Sequence, residues 1–125
     1  MEKRASRNIV ICDTDLDHSF TLEGYLRNQN YDVVNITDAS ELVGVAQSLR
    51  PSAILVNPDM KGFNENEVCL KIKRNLNVPV LLLLDRNSTH RAQIGDCQAD
   101  DVLTKPTEIG NLLTLLKKHI AINQL

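Results

Sequence analysis

The sequence predicts an α/β fold: a doubly wound, five-stranded parallel sheet in strand order 2-1-3-4-5, with helices on both faces. Three observations carry that expectation. Short apolar, β-branched runs alternate with segments of helical spacing along the whole chain. The runs are apolar at consecutive positions, as strands buried on both faces must be. Helix-length connections between them give parallel neighbours joined by right-handed crossovers. In this order the C-terminal ends of strands one and three flank the switch point, where ligands of such folds bind.

Ile9-Val10-Ile11-Cys12 is the first strand, stopping at a cluster of acids. From Asp17 to Gln29, Leu22, Tyr25 and Leu26 fall at helical spacing, and Asn30 suits a left-handed cap. Tyr31 to Ile36 is the second strand. Asp38 caps a helix on which Leu42, Val45, Ala46 and Leu49 repeat, and Pro51 ends it. Ala53 to Val56 is the third strand; a turn with Pro58 and Gly62 follows, then a helix marked by Val68, Cys69 and Ile72. Pro79 to Leu84 is the fourth strand, and Thr89 to Cys97 a short fourth helix. Asp101-Val102-Leu103 is the fifth strand, and Ile109, Leu112, Leu113, Leu116 and Ile120 stripe the last helix.

With 125 residues and 42% apolar content, the chain suits one domain over residues 1–125, its core running from about residue 8 to 122. A net charge of −2 supplies no basic field to attract nucleic acid or anionic lipid, which leaves protein as the expected partner. Met1 to Asn8 is charged and lacks the apolar region of a signal peptide, and the run Val80–Leu84 is too short to cross a bilayer. A cytoplasmic protein is expected. Cys12, Cys69 and Cys97 show no C-x-x-C pair and no ligand spacing to a His, and are expected to be reduced core thiols. His18, His90 and His119 are scattered and are assigned surface roles.

The segments Ala99-Asp100-Asp101-Val102-Leu103-Thr104-Lys105-Pro106 and Pro51-Ser52-Ala53-Ile54-Leu55-Val56-Asn57, with Gly62 five residues on, carry a resemblance. Through them the chain resembles the CheY-like receiver domains of response regulators, from Ile9 to about Ile120. The resemblance implies a flavodoxin-like (βα)5 fold and a place in two-component or phosphorelay signalling. It also implies a phosphoryl-transfer site: a carboxylate nucleophile after strand three, an acidic pair after strand one holding magnesium, a hydroxyl after strand four and a lysine after strand five. Each has its reason. The nucleophile supplies an anionic oxygen, the metal neutralises phosphate charge, and hydroxyl and ammonium stabilise the transferred oxygens.

Carried over by position, Asp13 matches the first acid, Thr14 replaces the second, Asn57 replaces the nucleophile, Leu84 replaces the hydroxyl, and Lys105 is kept. Asn57 carries a neutral amide, a poor nucleophile. Pro58 lacks the N–H through which Asn57 would cyclise and become Asp. Leu84 sets a methyl group where a phosphate oxygen would sit. The expectation is a degenerate, or pseudo-, receiver with no catalysis and no resident cofactor. Magnesium would bind weakly at most, with Asp13 its candidate ligand in the remnant Asp13-Thr14-Asp15. Lys105 is expected to pair with Asp13.

Val102 stands where the family's aromatic switch residue sits, so Leu84 and Val102 are expected to leave the domain in one state. Partners implied are a sensor kinase, an output domain, another signalling protein, or a second copy through the helix 4–strand 5–helix 5 face, which includes Ile94 and Val102. Two alternatives stand beside this. A conventional regulator would be phosphorylated on another carboxylate, such as Asp59 or Asp85. A haloacid-dehalogenase-type phosphohydrolase would use Asp13 and Asp15, whose D-x-D spacing resembles that family's motif; Leu84, the order of Asp100-Asp101 before Lys105 and the lack of a cap insertion oppose it.

Overall fold

Strand β1 (Asn8–Cys12) pairs with the edge strand β2 (Asp32–Ile36) on one side and with β3 (Ala53–Val56), the middle strand of the sheet, on the other. β4 (Val80–Leu84) follows β3. Outside the sheet, β5 (Gln93–Ile94) and β6 (Cys97–Gln98) form a separate antiparallel pair, and β7 (Asp101–Thr104) closes the sheet beside β4. The five strands of the sheet are parallel and ordered β2-β1-β3-β4-β7, the expected 2-1-3-4-5 arrangement. The computed structural model describes residues 7–88, 93–94 and 97–123, and of 93, 94, 97, 98 and 121–123 the backbone alone.

Alternation along the buried strands divides the core into two layers. Ile9, Ile11, Leu55, Leu81, Leu83 and Leu103 face helices α1 (Leu16–Asn28) and α4 (Ile109–Asn123), meeting Leu22, Leu26, Leu112 and Leu116. Val10, Cys12, Ile54, Val56, Val80 and Leu82 face the opposite way. There they meet Leu42 and Ala46 of α2 (Leu42–Leu49) and Val68, Cys69 and Ile72 beyond α3 (Glu65–Glu67), which continues as a π-helical stretch, Val68–Arg74. Each fully buried Leu contributes about 2 kcal/mol of transfer free energy. Period-two alternation sends successive strand residues to opposite layers, which is why these strands are apolar at consecutive positions.

Local chemistry sets the helix ends. The Asp15 carboxylate accepts from the His18 N–H at 3.2 Å and starts α1. Asn30, with φ of 66°, turns the chain out of it. Asp38 caps a 3₁₀ turn, Ala39–Glu41, that leads into α2, which Arg50 ends at φ 48° before Pro51. Asn64 caps α3 by accepting from the Glu67 N–H at 3.0 Å. Gly62, with φ of 87°, supplies the left-handed residue in the turn after β3.

Three expectations need correction. The helix expected over Thr89–Cys97 lies partly outside the described residues, and Gln93–Ile94 with Cys97–Gln98 pair there as antiparallel strands, Gln93 opposite Gln98. Pairing across the two short strands satisfies their backbone N–H and C=O groups, and it outweighs the helical spacing. Cys69 is disulfide-bonded rather than a reduced thiol, a pairing that sequence spacing does not encode, whereas Cys12 is free and buried. His119 is buried at 8% exposure instead of lying on the surface, because the α4 stripe turns it toward Asp101. His90 lies outside the described residues.

Candidate functional site

Three strand ends converge at one edge of the sheet, each extended by a ladder hydrogen bond. Asp13 follows β1, its N–H donating to the Ile36 carbonyl at 3.0 Å. Asn57 follows β3, its N–H donating to the Cys12 carbonyl at 2.9 Å, and Lys105 follows β7, its N–H donating to the Leu84 carbonyl at 2.9 Å. Because the backbone of each residue is held by its neighbour strand, the side chains enter the pocket in fixed relation. The Lys105–Pro106 peptide bond that follows is cis.

Inside the pocket one ammonium meets three carboxylates. Lys105 Nζ lies 2.5 Å from Asp13 Oδ2, 3.0 Å from Asp85 Oδ1 and 3.4 Å from Asp15 Oδ2. Asp13 and Lys105 are buried, at 1% and 9% exposure, whereas the Asp85 side chain is half-exposed at the mouth. Burial works against the Lys105 ammonium, but the hydrogen bonds to Asp13 and Asp85 outweigh it and raise its pKa above the usual 10.5. The same ammonium is the main reason the Asp85 carboxyl is held below its ordinary 3.8, with the Asn57 amide assisting against burial. Asp15 is also lowered, first by the His18 N–H that it caps, then, against desolvation, by Lys105.

Asn57 is saturated. Its Nδ2 donates to Asp13 Oδ1 at 3.3 Å and to Asp85 Oδ2 at 3.2 Å, while its Oδ1 accepts from the Asp59 N–H at 3.0 Å. This pattern fixes the amide orientation: two acidic oxygens face the NH2, and a backbone donor faces the carbonyl. Thr14 is exposed. Leu84 and Val102 are half-buried and pack against the Val10 side of the core, so neither offers a polar group to the pocket.

A cation at Asp13 would have to compete with Lys105, because the ion pair to that ammonium is the one contact of its inner oxygen. Oδ1 accepts from the Asp15 N–H at 3.1 Å and from Asn57, and Oδ2 faces the ammonium. Asp15 and Asp85 point at the same ammonium, and among the described residues no group of three His, Cys, Asp or Glu is arranged to hold a metal. As arranged, the donor set does not fit a magnesium ion, which would have to compete with Lys105 for each carboxylate.

Two contributors are undervalued by the sequence alone. Asp85 enters there only as a substitute phosphoacceptor, yet it is a structural partner of both Asn57 and Lys105. A charged residue directly after an apolar strand that ends at the switch edge is the signal that places it there. The scatter of histidines gives His18 no chemistry, but its Nε2 lies 2.9 Å from Thr107 Oγ1 and ties α1 to the connection after β7. Burial, and then the nearby Lys105, lower the His18 pKa below 6.5.

A family model for the response regulator receiver domain matches residues 9–117, and the chain belongs to that family. It is a receiver domain of two-component signalling. Receivers are in general signalling modules rather than enzymes. The fold is also similar to solved receiver domains. That of a modulated diguanylate cyclase from Desulfovibrio desulfuricans is 20% identical, with 94% of this chain and 95% of that one covered and a TM-score of 0.80. A Francisella response-regulator receiver domain is 19% identical over 92% and 97% of the two chains, with a TM-score of 0.75. The receiver domain of a sensor histidine kinase from Pseudomonas aeruginosa, solved with magnesium in its active-site cleft, is 22% identical over 94% and 99%, with a TM-score of 0.76. Among the described residues, no helix is long and apolar enough to cross a membrane.

Proposed function

We propose that this receiver signals by association with other proteins and takes up no phosphoryl group at residue 57, acting as a pseudo-receiver. The observation that carries the reading is the state of Asn57: a neutral amide whose NH2 faces two carboxylates and whose oxygen is held by the Asp59 N–H. No anionic lone pair is available there to attack phosphorus. Leu84 packs on the core and supplies no hydroxyl after β4, and the carboxylates around Lys105 repel an incoming phosphate. Magnesium has no part in the reading. Its partners are a sensor kinase, an output domain or a second copy, and the surface of β7 and α4 is one place for them.

Two other readings are less supported. Asp59 as a phosphoacceptor is opposed by its carboxylate accepting from Ser88 Oγ at 2.6 Å, outside the strand-end cluster. Phosphohydrolase chemistry at Asp13 is opposed by its burial against Lys105. The test is intact-mass spectrometry after incubation with magnesium and a small-molecule phosphodonor, beside a variant carrying Asn57→Asp and Leu84→Thr. The wild type should show no adduct. One phosphate on the wild-type protein would sink the reading and direct mutation to Asp59, Asp85 and Asp13.

A further inference from the structure

We infer that Asp85 is a built-in anionic plug, its carboxylate occupying the space between residue 57 and Lys105 that an anion attached to residue 57 would need. Its two oxygens take separate donors: Oδ2 accepts from Asn57 Nδ2 at 3.2 Å, and Oδ1 pairs with Lys105 Nζ at 3.0 Å. A carboxylate bridging those two atoms satisfies the same donors that would otherwise hold a bound anion. Asp13 also touches both, but from the floor of the pocket at 1% exposure, whereas Asp85 closes the mouth with a half-exposed side chain.

The backbone makes the plug durable. Leu84 ends β4 with its carbonyl accepting the Lys105 N–H, so residue 85 is positioned by the strand carrying its ionic partner. On the other side, the Ser88 N–H donates to the Asp85 carbonyl at 2.9 Å and turns the chain after β4. The side chain therefore reaches inward from a constrained stem, which lowers the entropy it loses on pairing. Closure follows from residue 85 in addition to the loss at residue 57.

The inference rests on the reading that residue 57 accepts no phosphoryl group, and the two are separable. Wild type, Asp85→Ala, Asn57→Asp and the Asn57→Asp/Asp85→Ala double variant are each titrated with beryllofluoride and magnesium, and followed by fluorine NMR. The double variant should form an adduct with at least tenfold higher apparent affinity than Asn57→Asp alone. Equal affinity, or no adduct on either, would overturn the plug. An adduct on the wild type would instead count against the proposed function. A second readout needs no phosphoryl analogue: in Asp85→Ala, the Asn57 side-chain amide resonances should shift and their hydrogens exchange at least threefold faster. Unchanged resonances in a folded Asp85→Ala variant would show that the contact does not form in solution. Asp85→Asn, which keeps shape and removes charge, should fall between in both measurements.

Discussion

Replacing Asn57 by Asp exchanges an NH2 group for an oxygen, and the site geometry gives that exchange a sign. Both hydrogen bonds donated by Nδ2 go to carboxylates, so the new oxygen would face Asp13 Oδ1 and Asp85 Oδ2 at 3.3 and 3.2 Å with like charge. The Asp13 contact is buried, and a lost hydrogen bond to a buried charged group costs about 1.5–3 kcal/mol. The Asp85 contact is half-exposed and screened, adding about 0.5 kcal/mol. Lys105 recovers part of this, which leaves a net destabilisation of about 2 kcal/mol at neutral pH. The introduced carboxyl would have a folded pKa above its unfolded value. Its penalty is then absent below the unfolded pKa, grows as pH rises through the window between the two, and is complete above the folded value. Urea unfolding of wild type and variant at pH 7.5 and at acid pH measures this, and the difference between them should shrink in acid. Equal stability at neutral pH, or a larger gap in acid, would refute the reasoning. Adding Asp85→Ala should relieve only the smaller part.

Lys105→Met should strand Asp13 as an uncompensated buried charge and cost about 3–5 kcal/mol in chemical denaturation, whereas Asp13→Asn with Lys105→Met should recover much of it. Since the folded pKa of Lys105 is raised, its contribution is present below pH 10.5 and is lost as pH rises through the folded value; alkaline unfolding of the wild type should show this loss, and Lys105→Met should not. Asp85 is lowered, so its contribution is present above 3.8 and disappears as pH falls through the folded value, and Asp85→Ala should unfold with a flatter acid limb. Burial pushes the Cys12 thiol up to about 12, and an Ellman assay at pH 8 should leave it unmodified until denaturant is added.

The sheet is legible because its inner strands are apolar at consecutive positions, and that pattern has few explanations once the runs alternate with helix-spaced segments. Val80–Leu84 shows it most plainly: five apolar residues in a row require cover on both faces, and α1 and α4 on one side and α2 with the π-helical stretch on the other provide it. The strand ends are legible for a related reason, since Asp13 and Asn57 are the first polar residues after apolar runs and Lys105 follows the last strand. What the linear pattern does not carry is direction. Nothing in sequence tells whether Asp85 turns inward or into solvent, because either satisfies a carboxylate; the choice is made by Lys105, remote along the chain and one strand away in space. His119 is a similar case, its burial set by Asp101 across the interface of α4 with β7 at 3.2 Å. The antiparallel pair of Gln93–Ile94 with Cys97–Gln98 escapes the periodic pattern because two-residue strands are too short for periodicity to register.

Charge balance links the changes at this site into one physical arrangement. Asp13, Asp15 and Asp85 surround a single ammonium, so the cluster already holds two negative charges beyond what Lys105 neutralises. A fourth carboxylate at residue 57 would need a further cation, and the oxygens that would bind it are already given to Lys105 and to backbone N–H groups. An amide at 57 solves the problem differently. It supplies two donors to the excess carboxylates and receives one backbone donor, so it works as a neutral crosslink where an Asp would be a fourth repelling charge. Asp85 and Asn57 are therefore interdependent: with a small residue at 85 the amide would lose half its acceptors, and with an Asp at 57 the carboxylate of Asp85 would face repulsion. The stability penalty of Asn57→Asp and the opening of the pocket by Asp85→Ala are two readings of that one dependence, and a double-mutant cycle across the two positions should return a coupling of about 0.5–1 kcal/mol. A coupling of zero would mean that the amide and the carboxylate meet without needing each other, and that Lys105 alone holds the pocket closed.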